Sequence, residues 1–344
     1  MPPTESAPSA ERLLELVDGL AGQPVVMLAD LVLDAFITGS PKRISREAPV
    51  LILAFEERTV IPGGGANAVA NVAALGGTPI PLGVVGGEPD GEVLRQLLAE
   101  RGVDVSGVIV KASYRTPVKT RILGGGPIKQ QIVRYDVEDV VELGETERAR
   151  FAETLAGRTA PVAVLSDYGY GSVVPELVPW LREAVGPDAL LVCDSRYRLE
   201  HFAGIDAATP NLEEAEVLAG RRLADDAALA GEGPGLRERL GCRWLLVTLG
   251  SRGMSLFTAE GAAHVPVHGT EEVADVTGAG DTVIGTFALA LAAGASAVEA
   301  MLLADYAGGI VVMKRGTATL DRKELAEAVR ADPRPREELA WARS

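Results

Sequence analysis

Short apolar runs alternate with helix-length stretches along most of this chain, and that rhythm limits the available folds more than any other feature. Val25 to Leu28, Ile80 to Val85, Val162 to Leu165, Leu190 to Cys193 and Trp244 to Thr248 have the length and branched side chains of strands. Ala66 to Leu75 and Glu92 to Arg101, with further helical stretches downstream, fall between them. Strands separated by helices do not close as tight hairpins, so the pattern predicts a parallel sheet with helices on both faces. Glu11 to Leu20 repeat Leu at helical spacing and predict a short helix ahead of the first strand. The Pro- and Ser-rich start, Met1 to Ser9, is expected to be mobile. A chain of 344 residues has room for one large α/β core and a small appendage.

Two segments break the rhythm. Pro49 to Ile61 and Thr116 to Asp136 alternate β-branched with charged residues, the second interrupted by a turn-like Gly124 to Pro127. They predict antiparallel strands set apart from the main sheet, forming a small β lid over the strand ends where open α/β sheets take ligands.

Charge removes one class of function. Thirty-three Lys and Arg against 48 Asp and Glu leave a formal net charge of −15, which repels polyanions and argues against nucleic acid as a partner. Cys193 and Cys242 lie in apolar strand-like runs and are expected to pack there, being too few for a zinc quartet. His201, His264 and His268 are too scattered to predict a metal site. The start lacks a basic segment followed by an apolar one, so the expectation is a cytoplasmic protein. Thr282 to Val298 carries no charge but is broken by Gly285, Gly294 and Ser296, and is expected to be a buried helix rather than a membrane span.

The chemistry concentrates in glycine-rich strings. DVTGAGDT, Asp275 to Thr282, leads into that uncharged helix. Gly278, Ala279 and Gly280 would present backbone amides at the helix N-terminus, an anion hole of phosphate size. Asp281 follows at once, placed to take a proton from an attacking hydroxyl. A plain capped helix start is the simpler alternative for this string alone. PGGGANAVANVAALGG, Pro62 to Gly77, brings three glycines and Asn67 to the start of another helix, suited to close approach by a polyhydroxylated ligand. Asp30 and Asp34 lie just past the first strand, where carboxylates can accept sugar hydroxyls or serve as turn residues. Thr209 to Glu216 and Val247 to Gly253 each end a strand with residues able to face phosphates or metal-bound water. Ser166 beside Asp167 has no nucleophile elbow around it, so Asp167 is expected to orient substrate instead.

In this order the strings resemble the ribokinase-like, or PfkB, family of sugar kinases, from about Val25 to Leu320, with GGGAN and DVTGAGD the most specific signatures. The resemblance implies a ribokinase-like three-layer α/β/α sandwich over residues 23–331 with a small β-sheet lid from about 35–61 and 114–137, flanked by an extension at 1–22 and a tail at 332–344. It further implies ATP as phosphoryl donor, Mg²⁺, and a homodimer joined through lid strands. By the same resemblance Asp281 is the catalytic base and Gly278, Ala279 and Gly280 the anion hole, while Asp34, Gly63, Gly64 and Asn67 bind sugar. Asn211 and Glu214 match an N-x-x-E element that organises magnesium and phosphate, Thr248, Gly250 and Gly253 lie along the nucleotide, and Asp275, Gly316 and Thr319 fall where a K⁺ would be held.

A narrower set of strings, ADLVLD, RISREAPV, VKTR, QQIVRYD, LSDYGYG and KRGTAT, resembles the kinases of the ADP-heptose pathway. Those enzymes phosphorylate D-glycero-D-manno-heptose 7-phosphate at its anomeric hydroxyl on the way to the lipopolysaccharide core. No HxGH string follows, so the resemblance is to a stand-alone kinase. Arg43, Lys119, Arg121, Lys129 and Arg134 gather cations in the expected lid, for a substrate phosphate or for pairing with Glu47, Glu56, Glu57 and Asp136. Tyr170 stands where heptose kinases carry Lys, Asp194-Ser195-Arg196 replaces a DPK string with Arg196 able to restore the charge, and Asp305 replaces an Asn near the adenine site. A kinase for another sugar or nucleoside, or a non-catalytic sugar-phosphate binder on the same fold, stays open.

Overall fold

A computed structural model describes residues 8–125, 129–269, 275–314 and 316–332. Met1 to Ala7, the Gly126 to Pro127 part of the expected lid turn, and most of the expected tail lie outside the described residues.

The chain opens with α1 (Ala10–Gly19), capped by the Ser9 hydroxyl, and enters the main sheet as β1 (Pro24–Ala29). Asp30 alone separates β1 from β2 (Leu31–Ile44), which leaves the main sheet for the lid and returns as β3 (Leu51–Gly64). Then come α2 (Gly65–Ala74), β4 (Thr78–Gly86), α3 (Pro89–Ala99) and β5 (Val108–Lys111). A second excursion makes β6 (Val118–Gly124) and β7 (Gln130–Val137). The chain continues through α4 (Glu145–Leu155), β8 (Val162–Asp167), α5 (Val178–Val185), β9 (Leu190–Ser195), β10 (Ala207–Ala208), α6 (Leu212–Ala219), α7 (Asp226–Leu240) and β11 (Trp244–Thr248). It closes with β12 (Met254–Phe257), β13 (Ala262–Val265), α8 (Ala279–Ala292), α9 (Ala297–Val312) and α10 (Arg322–Ala331).

The main sheet has nine strands in the order β13-β12-β11-β10-β9-β8-β1-β4-β5. From β11 to β5 it is parallel. The expected all-parallel sheet needs one correction: β12 runs antiparallel to both β11 and β13, because the short connection after Thr248 cannot hold a crossover helix. Alternation along each inner strand divides two cores. Val25, Met27 and Ala29 face the layer of α1, α2, α8, α9 and α10, while Val26 and Leu28 face that of α4, α5, α6 and α7. These layers on either side of the sheet give the ribokinase-like sandwich.

The uncharged run forms two helices, not one. Gly294 takes φ +84°, and Ser296 starts α9 with a capping box to Glu299. Among the described residues no helix is long and apolar enough to cross a membrane.

The lid is a second sheet of four strands, β3-β2-β6-β7. The expectation of antiparallel pairing holds for β2 with β3 and β6 with β7, but β2 and β6 are parallel. Between them the chain goes back to build β4 and β5, so it re-enters the lid by a crossover from the same side.

Candidate functional site

The two sheets meet at the carboxyl ends of the main-sheet strands, and α8 points its N-terminus there. Gly278 starts α8 in a left-handed conformation, φ +80°, and a Cβ on it would lie 2.6 Å from both Asn67 Nδ2 and Thr317 Cγ2. Only glycine fits on either count. The first helical bond runs from the Thr282 amide to the Gly278 carbonyl at 3.1 Å, so the amides ahead of it carry the positive end of the helix dipole, although that of Ala279, expected in the anion hole, donates to the Val276 carbonyl at 3.3 Å.

Asp281 lies in that turn, 3% exposed. Its Oδ1 accepts the Tyr168 hydroxyl at 2.6 Å, and its Oδ2 accepts Asn67 Nδ2 at 3.2 Å. Asn67 also donates to the Gly278 carbonyl at 3.2 Å, and Asn71 Nδ2 donates to Asn67 Oδ1 at 3.1 Å, which fixes the amide's orientation. Burial pushes the Asp281 carboxyl up to about 7, against the pull of the Tyr168 and Asn67 bonds and the charge of Lys119. A buried carboxylate poised near neutrality suits proton abstraction from a hydroxyl.

Facing this group, β2 and β6 supply Asp34, Lys119 and Arg121. Asp34 accepts Arg121 Nη1 at 2.7 Å and the Thr317 hydroxyl at 2.9 Å. Gly63 lies flat against it, since a Cβ there would come within 2.5 Å of Asp34 Oδ2. Gly64, at φ +51°, likewise leaves room for Val32 and the Tyr168 ring. Lys119 Nζ sits 4.5 Å from the Tyr168 ring centroid and 5.9 Å from that of Tyr170. Burial lowers the Lys119 pKa, with Asp281 and Asp34 opposing that shift.

Beyond β9 and β10 the nucleotide-side candidates gather. Asn211 and Glu214 form a reciprocal capping box at the start of α6, with both bonds at 2.9 Å. Glu214 is pushed up by burial, with the Asn211 amide and Arg196 opposing. Asp194 is pushed well up by burial and then by the charges of Glu214, Asp281 and Asp167. Carboxylates short of counter-charge are where a cation is welcome, so the chemistry fits an Mg²⁺ arriving with a nucleotide. Among the described residues no three acidic, His or Cys side chains form a cage of their own. Thr248 bridges to Asn211 across the strand ends, and Gly250 and Gly253 take positive φ directly after it. Arg196 is exposed on the same rim, its guanidinium 5.7 Å from the Tyr197 ring centroid.

Several sequence expectations change. Asp30 is not a sugar ligand: it is fully buried, with Oδ2 accepting the amides of Tyr168 and Tyr170 at 2.9 Å and Oδ1 that of Ser172 at 2.8 Å. Its carboxylate is spent on the loop after β8. Asp167 is a clamp instead of a substrate group, taking both arms of Arg198 at 2.8 and 2.9 Å and the Ser195 hydroxyl at 2.6 Å. Arg134 turns its fork to Asp136, Nε at 2.8 Å, and Lys129 reaches Glu56 at 2.7 Å, so the two cations are paired within the lid. Asp275 and Gly316 do come together, Gly316 N donating to Asp275 Oδ2 at 3.1 Å. Burial opposes ionisation of Asp275, yet its bonds from Thr277 and Gly316 and the charge of Arg121 hold it below the usual range. Thr319 does not fit a cation set, because its carbonyl accepts the Lys314 ammonium at 2.8 Å. Asp305 lies inside α9, 2% exposed, with Oδ1 3.4 Å from the His268 amide.

Sequence reasoning missed Tyr168 and Thr317. Both sit within the LSDYGYG and KRGTAT strings, but only the fold shows their hydroxyls on Asp281 and Asp34.

Residues 29–324 match the family described as pfkB family carbohydrate kinase. The bifunctional protein HldE of Mesorhizobium japonicum is 38% identical over 330 residues, covering 94% of this chain and 65% of that protein. HldE of Azotobacter vinelandii is 40% identical over 314 residues, covering 90% of this chain and 64% of its own length. The chain thus spans just under two thirds of these relatives. Among solved structures, Arabidopsis thaliana ribokinase complexed with ribose and ATP superposes with a TM-score of 0.72 at 20% identity, over 91% of this chain and all of that one. Phosphofructokinase-2 from Escherichia coli in complex with potassium gives 0.72 at 22%, over 90% and 98%. At such identities these two speak for the fold.

Proposed function

The chain belongs to the pfkB family of carbohydrate kinases, and within that family we propose that it is an ATP-dependent kinase that phosphorylates the anomeric hydroxyl of D-glycero-D-manno-heptose 7-phosphate to give the 1,7-bisphosphate. The observation that carries the choice of an anionic acceptor is the buried Lys119 ammonium in VKTR, which has no ion pair of its own among the described residues, next to Arg121, which is paired with Asp34. Lys119 and Arg121 are 8% and 9% exposed in a chain of net charge −15, and Lys119 lies within the field of Asp281. The other strings shared with heptose kinases point the same way.

In this reading Asp281 takes the proton of the acceptor hydroxyl as the phosphoryl group is attacked in line. Asn67 and Tyr168 hold the carboxylate in place. The N-terminal amides of α8, at Gly278 and Gly280 and, once released from Val276, at Ala279, hold negative charge that develops on the transferred group, and the Lys119 ammonium lies in the field of Asp281 beside them. Asp34, fixed by Arg121 and Thr317 and closely backed by Gly63, accepts a sugar hydroxyl through its remaining lone pairs. Magnesium, carried on the nucleotide and faced by Glu214 and Asp194, would supply charge neutralisation at the phosphates. A potassium ion at Asp275 belongs to the same proposal, as does a homodimer through the lid, whose edge strands expose Phe55, Ile132, Val133 and Tyr135.

One observation favours a second acceptor. Tyr170, in place of the heptose kinases' Lys, turns its hydroxyl to Glu138 Oε1 at 3.2 Å, so it offers no positive charge. ADP release with Mg²⁺, K⁺ and ATP, measured across heptose 7-phosphate, fructose, fructose 6-phosphate, ribose and adenosine, separates the two. Selective turnover of the heptose phosphate is expected; turnover of another acceptor alone would overturn the assignment.

A further inference from the structure

The loop that follows β8 holds the carboxylate on α8, and its construction is specific. Asp30, the single residue between β1 and β2, is tied on all sides: its amide donates to the Ser166 carbonyl at 3.0 Å, and its own carbonyl accepts the Gly65 amide at 3.1 Å. Its side chain then accepts three amides of the loop, those of Tyr168, Tyr170 and Ser172. The backbone of Tyr168 is therefore fastened to the end of β1, between β8 and β4 in the main sheet. The ring is fixed as well, with Lys119 Nζ over it and Gly64 so near that a Cβ there would stand 3.3 Å from Cε2. What projects from this mount is a hydroxyl 2.6 Å from Asp281 Oδ1.

We infer that Tyr168 is a positioning residue for the reaction, orienting the Asp281 carboxylate and favouring its ionised form so that it can accept the acceptor's proton. The inference rests on Asp281 being the base. Two donors on different oxygens, Tyr168 on Oδ1 and Asn67 on Oδ2, fix the plane of the carboxylate, and each carboxylate oxygen keeps a second lone pair for the incoming hydroxyl. Burial works in the other direction, toward the neutral acid. The charged groups facing Asp281 divide: Lys119 from β6 favours ionisation, while Asp34 from β2 and Asp194 from β9 oppose it. A short bond from an anchored hydroxyl tips that balance without adding charge. The sign follows. Removing a donor to the ionised form raises the pKa of the acid, so activity is lost first on the acid side and returns as pH rises.

The test is Tyr168→Phe in the full chain, which keeps the ring and deletes only the hydroxyl. With whichever sugar the wild-type protein turns over, kcat is expected to fall about 10- to 100-fold with the sugar KM within about twofold, and the acidic limb of kcat/KM to move up by about one pH unit. An unmoved limb with normal kcat would overturn the inference, and so would a loss confined to KM, which would make Tyr168 a sugar contact. If the wild-type protein turns over none of the acceptors, the functional reading fails on its own. That Tyr168 favours the ionised Asp281 carboxylate is decided separately, by carboxyl-¹³C NMR of labelled aspartate, with the Asp281 signal assigned through Asp281→Asn. A higher titration midpoint in Tyr168→Phe supports it, and an unchanged midpoint overturns it.

Discussion

The central and edge strands of the lid carry the same kinds of charge and use them differently. On central β2 and β6, Asp34, Lys119 and Arg121 are buried at 3%, 8% and 9% exposure, and they face the residues around Asp281. At the edges, Lys129 meets Glu56 of β3 with side chains 28% and 41% exposed, and Arg134 of β7 meets Asp136 at 38% and 22%. Arg121 and Arg134 even stand opposite each other in register, one on each kind of strand. The worth of a charge depends on how much water surrounds it: a solvated pair contributes little, whereas a covered charge acts at nearly full strength on its neighbours. The edge cations are neutralised by partners within the lid, and the central ones face the candidate site.

Among the lid charges, the largest effect is expected at Lys119. Lys119→Met keeps the buried stem and removes the ammonium, and turnover is expected to fall about 100-fold with an unchanged melting curve; steady-state kinetics showing normal kcat would erase the distinction between strands. Asp30→Asn comes next. An asparagine can satisfy only one side of the loop, and its amide would face the Ser172 N–H donor to donor, so urea unfolding should show a loss of about 2 kcal/mol. A stability equal to wild type would mean that the loop does not hang from Asp30. The smallest effect is expected at the edge: Lys129→Met should change stability by less than about 0.5 kcal/mol and leave kcat as it was. A large loss of activity there would extend the site to the edge strands.

The main sheet was legible because its inner strands are buried on both faces and read as branched apolar runs, and β1, β4, β8, β9 and β11 all fall where those runs lie. β12 and β13 are short and pair locally, which leaves no periodicity to read. The parallel pairing of β2 with β6 depends on a chain path that no local pattern records. At the site, the two glycine strings mark where backbone approaches closely, and Gly63, Gly64 and Gly278 do just that. The two aspartates after β1 could not be told apart in the sequence. Asp34 lies among the charged groups, whereas Asp30 is claimed by amides about 140 residues away in the chain. Tyr168 was hidden for the same reason, its partner Asp281 lying 113 residues on.

In the proposed reaction Asp281, covered at the start of α8, is the base. Asp281→Asn isolates that role, because the amide keeps the size of the side chain and cannot take the proton. With the sugar turned over by the wild-type protein, single-turnover transfer from ATP is expected to fall at least about 1,000-fold, while calorimetry shows the sugar bound within a few-fold of wild type. Near-normal transfer with the same binding would contradict the account and move the base elsewhere.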